Sequence, residues 1–184
     1  MSRKIPKYQF KTVDLAYIAL FAALMTICSW ISIPLTVPFT LQTFAVFASV
    51  AILGTVRSTL VMVVYMLLGA IGVPVFSGVQ GGISRLAGPT GGYLLGFLLT
   101  TLLAGMLIDY FGKKTWVMAL GMILGLALCY AFGTAWFMVV YSRQTGPIGL
   151  AASLSMCVFP FIIPDLVKMA VAIVLAKRVG RYFV

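Results

Sequence analysis

Asp165 and Lys168 are separated by three positions inside an apolar stretch. On a helix, that spacing puts both side chains on one face, within reach of each other and of a common ligand. If the segment enters a membrane near Phe159, Asp165 lies about 9 Å and Lys168 about 13 Å further along. Ionisable groups at such depth cost at least about 2.5 kcal/mol on insertion scales and usually mark a functional site. The pair can orient helices as an internal ion pair, or anchor a ligand that carries matching donors and acceptors. Pro164 suits the first turn of a helix, which would place the Asp165 carboxylate near free backbone N–H groups that keep it ionised.

A second constellation lies in Gly72–Gly92, which holds seven Gly and two Pro and cannot be regular helix. It brings together Phe76, Ser77 and Gln80, and G-P-T-G-G-Y puts Thr90 and Tyr93 at the mouth of the following helix. No Gly-Lys-Ser/Thr follows the glycines, so a phosphate cradle is excluded. Arg85 is the one cation of this stretch, a partner for a carboxylate or a solvated loop charge. Phe76 and Tyr93 can stack on a ring or sit at a membrane interface. Gln42, at the start of a short helix, can cap it or hydrogen-bond a ligand amide. Together these groups suit a small ring with amide-like N–H and C=O groups plus one carboxylate. A sugar would want more polar side chains, and a bare inorganic ion fewer apolar ones.

Little else in the chain can do chemistry. There is no His and no Glu, and the acids are Asp14, Asp109 and Asp165, far apart in sequence. Ser-His catalysis, His-based metal sites and paired-carboxylate hydrolysis are therefore not expected. No enzyme activity, metal or cofactor is expected either. Cys28, Cys129 and Cys157 stand alone in apolar segments without a CxxC spacing and read as small buried residues.

The elements that must position these groups follow from composition. Of 184 residues, 62% are hydrophobic and 9% charged, with mean hydropathy +1.14. A soluble domain averages about 45–50% apolar and about 25% charged, so the chain reads as an all-α, polytopic membrane protein. A membrane helix needs roughly 20 residues, so six spans fill most of the chain and leave one membrane-embedded, substrate-binding domain over 1–184. The expected helices are Leu15–Ile33, Leu41–Leu53, Thr59–Ile71, Tyr93–Ile108, Thr115–Val140 and Leu154–Ala176, the last interrupted by Pro160 and Pro164. Gly54–Ser58 reads as a tight turn, and Ser32–Thr40 as a Pro-rich break. Asp14 at the start of the first helix suits the helix dipole. The first apolar run is too long for the h-region of a signal peptide.

Six spans put both termini on one side, together with the turns at Arg57 and Lys113–Lys114. That side then holds ten of the thirteen basic residues: Arg3, Lys4, Lys7, Lys11, Arg57, Lys113, Lys114, Lys177, Arg178 and Arg181. Arg85 and Arg143 fall opposite. The positive-inside rule makes both termini cytoplasmic and accounts for the +10 charge without nucleic acid. The Gly- and Pro-rich loops, the kind of segment that carries binding residues, face outward. In the first helix, Ala19 and Ala23 form a small-xxx-small pair, suited to internal packing or to a partner subunit.

P-F-T-L-Q-T-F (Pro38–Phe44), G-V-P-V-F-S-G (Gly72–Gly78), G-P-T-G-G-Y-L-L-G-F (Gly88–Phe97) and D-L-V-K (Asp165–Lys168) resemble the BioY family. These are the biotin-binding S components of energy-coupling factor (ECF) transporters in prokaryotic cell membranes. The resemblance covers nearly the whole chain. It implies high-affinity capture of biotin from outside, and uptake driven by one transmembrane coupling subunit and two ABC-type ATPases. It also implies that Asp165 and Lys168 contact the ligand, that the loop from Phe76 to Tyr93 forms and covers the pocket, and that Ala19–Ala23 faces the coupling subunit. Many members have Gly where this chain has Pro164, so the start of the last helix is expected to differ. Within that frame Asp165 would accept a ureido N–H, and Lys168 would donate to the ureido oxygen or the carboxylate. An S component for another vitamin and a self-sufficient secondary carrier are the alternatives; no internal repeat of the kind carriers show is visible.

Overall fold

The computed structural model describes residues 10–179; Arg3, Lys4, Lys7 and Arg181 lie outside the described residues. Helix α1 (Thr12–Trp30) leads into a two-stranded antiparallel hairpin, β1 (Ser32–Ile33) and β2 (Phe39–Thr40), followed by α2 (Gln42–Ala70). A one-turn helix α3 (Ile83–Ala87) sits in the next connection. The chain continues through α4 (Gly91–Phe111), α5 (Thr115–Gln144), α6 (Leu150–Cys157) and α7 (Phe159–Val179). Among the described residues five stretches are long and apolar enough to cross a membrane, α6 and α7 counting as one.

The expected second and third helices are joined in α2. The interruption is confined to Gly54, at φ 77°, ψ −174°, a region open essentially to Gly alone. Gln42 at the start of α2 lines the same cavity as Phe76, and the Phe76 ring packs on Gly69 near the end of α2. Residues 42–53 therefore lead away from that cavity, and 55–70 return to it. The helix can resume at once because the end of α4 and the turn after it supply partners for the broken ladder. Asp109 accepts the Thr55 N–H at 3.3 Å and its hydroxyl at 2.5 Å. Lys113 donates to the Ile52 carbonyl at 3.1 Å. A carboxylate thus meets the free N–H end of one segment, and an ammonium the free C=O end of the other.

Packing between α4 and α5 uses a ladder of small residues. A Cβ on Gly96 would lie 2.7 Å from Cys129 Sγ, one on Gly125 3.1 Å from Thr100 Cα, and one on Gly121 3.2 Å from Ala104 Cα. The spacing is four along each helix, in antiparallel register. Lipid is as apolar as Leu, so membrane helices associate through such close approach and through interhelical hydrogen bonds. Thr100 supplies one, donating to Gly125 O at 2.8 Å.

Helix α1 is tied at both ends. Asp14 accepts the Lys11 N–H at 2.8 Å, as the dipole argument expects, but it is also buried and paired with Arg57 at 2.7 Å. At the far end Ser29 donates to Val75 O at 2.5 Å and Trp30 Nε1 to Pro74 O at 2.8 Å, fixing the Gly-rich connection. Ala22 is buried, whereas Ala19 and Ala23 are exposed. The small-residue pair therefore takes no part in internal packing.

Candidate functional site

One cavity collects most of the polar residues singled out from sequence. Asp165, Lys168, Gln42, Phe76, Arg85 and Tyr93 all line it. With the part open to solvent, it holds about 740 Å³ of space. Gln80 does not line it. Instead its backbone pairs with that of Phe76, Phe76 N–H donating to Gln80 O at 2.8 Å and Gln80 N–H to Phe76 O at 3.3 Å. This closes a small hairpin whose tip, Gly78 (φ 74°) and Val79 (φ 56°), takes left-handed backbone. Gln80 thus shapes the loop that presents Phe76. That ring fits only because residue 69 is Gly, where a Cβ would come within 2.0 Å of Phe76 Cζ. Tyr93 is placed the same way: its ring lies against Gly133 and its hydroxyl is 3.0 Å from Thr134 Oγ1.

Asp165 and Lys168 are 2% and 7% exposed and joined at 2.8 Å. Two groups that the sequence did not single out complete their network. Thr43 donates to Asp165 Oδ1 at 2.8 Å and Tyr130 to Oδ2 at 2.7 Å. Lys168 also donates to Thr43 Oγ1 at 3.0 Å and to Thr40 O at 2.7 Å, and lies 4.2 Å over the Phe39 ring. Buried charges are tolerable when paired and hydrogen-bonded in this way. Tyr130 had a signal in sequence, since no other hydroxyl lies between Thr115 and Thr134 of α5 and a hydroxyl within a membrane needs a partner. Thr43 had none beyond its place beside Gln42.

The start of the last helix departs from expectation. Helix α7 begins at Phe159 and carries Pro164 inside it, so Asp165 sits nearly two turns in and not in the first turn. Its carboxylate is held by Thr43, Tyr130 and Lys168 instead of by helix-terminal N–H groups. A separate helix α6 precedes it, with Val158 between the two.

Two capacities in this site remain open. Gln42, 4% exposed, has a side-chain nitrogen that is buried without a hydrogen-bond partner. Arg85 lines the cavity, and among the described residues no carboxylate pairs with it. One carboxylate and two cations line the cavity, leaving one positive charge uncompensated. The rest of the lining is largely apolar and aromatic, including Leu94, Phe97 and Phe161. Among the described residues no three His, Cys, Asp or Glu side chains gather as metal ligands would.

Comparison with known proteins bears on the family and the fold. The family model described as the BioY family matches residues 1–183. A biotin transporter BioY of Thermotoga maritima is 41% identical over 88% of this chain and 92% of its own length. A probable biotin transporter BioY of Pyrococcus horikoshii is 37% identical over 91% and 96%. The fold matches a crystal structure of the S-component for biotin from an ECF-type ABC transporter. The TM-score is 0.83 at 25% identity, covering 94% of this chain and 95% of that one.

Proposed function

The chain belongs to the BioY family, and from that premise we propose that it is the biotin-binding S component of an ECF transporter in a prokaryotic cell membrane. The observation that carries this reading is the cavity's unmet demand: one buried amide donor and one uncompensated cation in a mostly apolar space. Biotin has a ureido ring with N–H and C=O groups, an apolar thioether ring and chain, and one carboxylate. Asp165 accepts a ureido N–H, Phe76 and Tyr93 cover the rings, and Arg85 meets the carboxylate.

The six helical segments, counting 42–53 and 55–70 separately, cross the membrane with both termini cytoplasmic. In support, Arg57 and Lys113 gather at the Gly54 break, while Arg85 lies at the cavity. Binding alone gives no energy for accumulation, and that energy comes from a coupling subunit and two ABC-type ATPases. The exposed Ala19–Ala23 strip of α1 is where the coupling subunit docks.

Titration of purified protein with biotin, followed by uptake with and without the ATPase module, tests the reading. Saturable binding with module-dependent uptake is expected. Uptake by the chain alone would favour a secondary carrier, and tighter binding of another vitamin would reassign the substrate. Ala19→Trp is expected to leave biotin binding intact and abolish uptake; normal uptake by that variant would reject the docking role.

A further inference from the structure

We propose that Gly69 and Gly133, two helix residues outside the cavity lining, set the width of the space for the ligand's rings and so decide how bulky a ring system the site accepts. The inference deepens the biotin reading and rests on it. Each glycine leaves a notch in a helix face, Gly69 on α2 and Gly133 on α5. Each notch is filled by an aromatic ring that does line the cavity. A Cβ on Gly69 would fall onto the outer edge of the Phe76 ring, nearest Cζ. One on Gly133 would fall onto the Tyr93 ring, nearest Cδ1 and Cε1. Carbon atoms rest about 3.5–4.0 Å apart, so either methyl group would drive its ring back by more than about 1 Å.

The rings have little choice of direction. The Phe76 backbone is held by its pairing with Gln80 and by the preceding Val75 carbonyl, which accepts from Ser29 at 2.5 Å and Tyr65 at 2.8 Å. The side chain therefore yields first. The fully buried Tyr65 ring stands edge-on to it at 5.5 Å, and the open space beside it is the cavity. Tyr93 is fixed in the first turn of α4, with its hydroxyl 3.0 Å from Thr134, the neighbour of Gly133. A ring pushed out of either notch takes its volume from the cavity. Gly125 and Gly92 show the contrast: their notches receive Thr100 and Trp136, neither of which lines the cavity. Those two glycines bring helices or loops together. Gly69 and Gly133 make room for a ligand, and an interior packed this closely feels a single added methyl.

The test compares biotin with desthiobiotin, which keeps the ureido ring and an acid chain but lacks the thioether ring. Calorimetry on purified protein, by competition where binding is weak, gives the ratio of the two affinities. Gly69→Ala is expected to weaken biotin about tenfold and desthiobiotin less than about threefold. Gly133→Ala is expected to move the ratio the same way, and either variant alone decides the matter. Combining Gly69→Ala with Phe76→Leu trims the displaced ring, so the ratio is expected to stay within about threefold of that in Phe76→Leu alone. Gly125→Ala is expected to lower the melting temperature and leave the ratio unchanged, as a glycine that only packs helices should. Equal losses for both ligands in the Gly69 and Gly133 variants, unchanged affinities, or a ratio that moves toward biotin would overturn the inference and leave the biotin reading intact. A wild-type chain that does not bind biotin overturns both.

Discussion

Two polar clusters interrupt the apolar helices, one at each end of residues 42–53 of α2, and they differ in what they leave unpaired. Around Gly54 the groups satisfy one another: Asp109 holds Thr55, Lys113 holds the Ile52 carbonyl, and Asp14 pairs with Arg57, which also lies 5.7 Å over the Tyr17 ring. Around Gln42 the pairing stops short. Asp165 and Lys168 are bound to each other and to Thr43, yet the Gln42 amide has no partner and Arg85 adds an unmatched charge to the cavity. The first cluster repairs a broken helix. The second awaits a ligand. The mere presence of charge does not separate a structural cluster from a binding one; a charge left uncompensated at a cavity does.

This contrast can be broken most forcefully at Asp165. Asp165→Asn keeps the shape but removes the charge that Lys168, Thr43 and Tyr130 surround, and biotin affinity is expected to fall by more than about tenfold. Unchanged affinity in calorimetry would put the binding function elsewhere. At the opposite cluster, Arg57→Met strands a buried Asp14 carboxylate. A stability loss of about 3 kcal/mol is expected, read as thermal unfolding in detergent, with biotin affinity within about threefold of wild type. Gly54→Ala forces a side chain into glycine-only backbone and is expected to cost about 1–3 kcal/mol, again without loss of binding. Asp109→Ala removes the cap on Thr55 from an exposed side chain, and about 1 kcal/mol is expected. A large affinity change in any of these three would join the two clusters into one functional unit.

Much of this was legible in the sequence because a membrane narrows the choices. Apolar runs of spanning length had to be helices, and polar residues within them had to be structural pairs or site residues, which singled out Gln42, Asp165 and Lys168. The glycine-rich connection marked Phe76, Arg85 and Tyr93. What was not legible depends on partners distant in sequence. The break at Gly54 is shorter than the expected turn because its caps come from Asp109 and Lys113, on and just beyond α4. Thr43 and Tyr130 join the site through a carboxylate more than thirty positions away from either. Gln80 belongs to a local hairpin that its own segment forms, and Asp165 sits deeper in α7 than Pro164 suggested, since the helix starts before that proline. The ladder of small residues between α4 and α5 was written in the sequence at four-residue spacing, and its register appears only when both helices are set side by side.

The most direct measurement is a calorimetric titration of the purified chain, without partner subunits, with biotin across wild type, Asp165→Asn and Arg57→Met. Saturable binding is expected in the wild type, with more than about a tenfold loss in Asp165→Asn and less than about a threefold change in Arg57→Met. Absence of binding in the wild type, or equal losses in the two variants, would contradict the assignment of the Gln42 end as the biotin site.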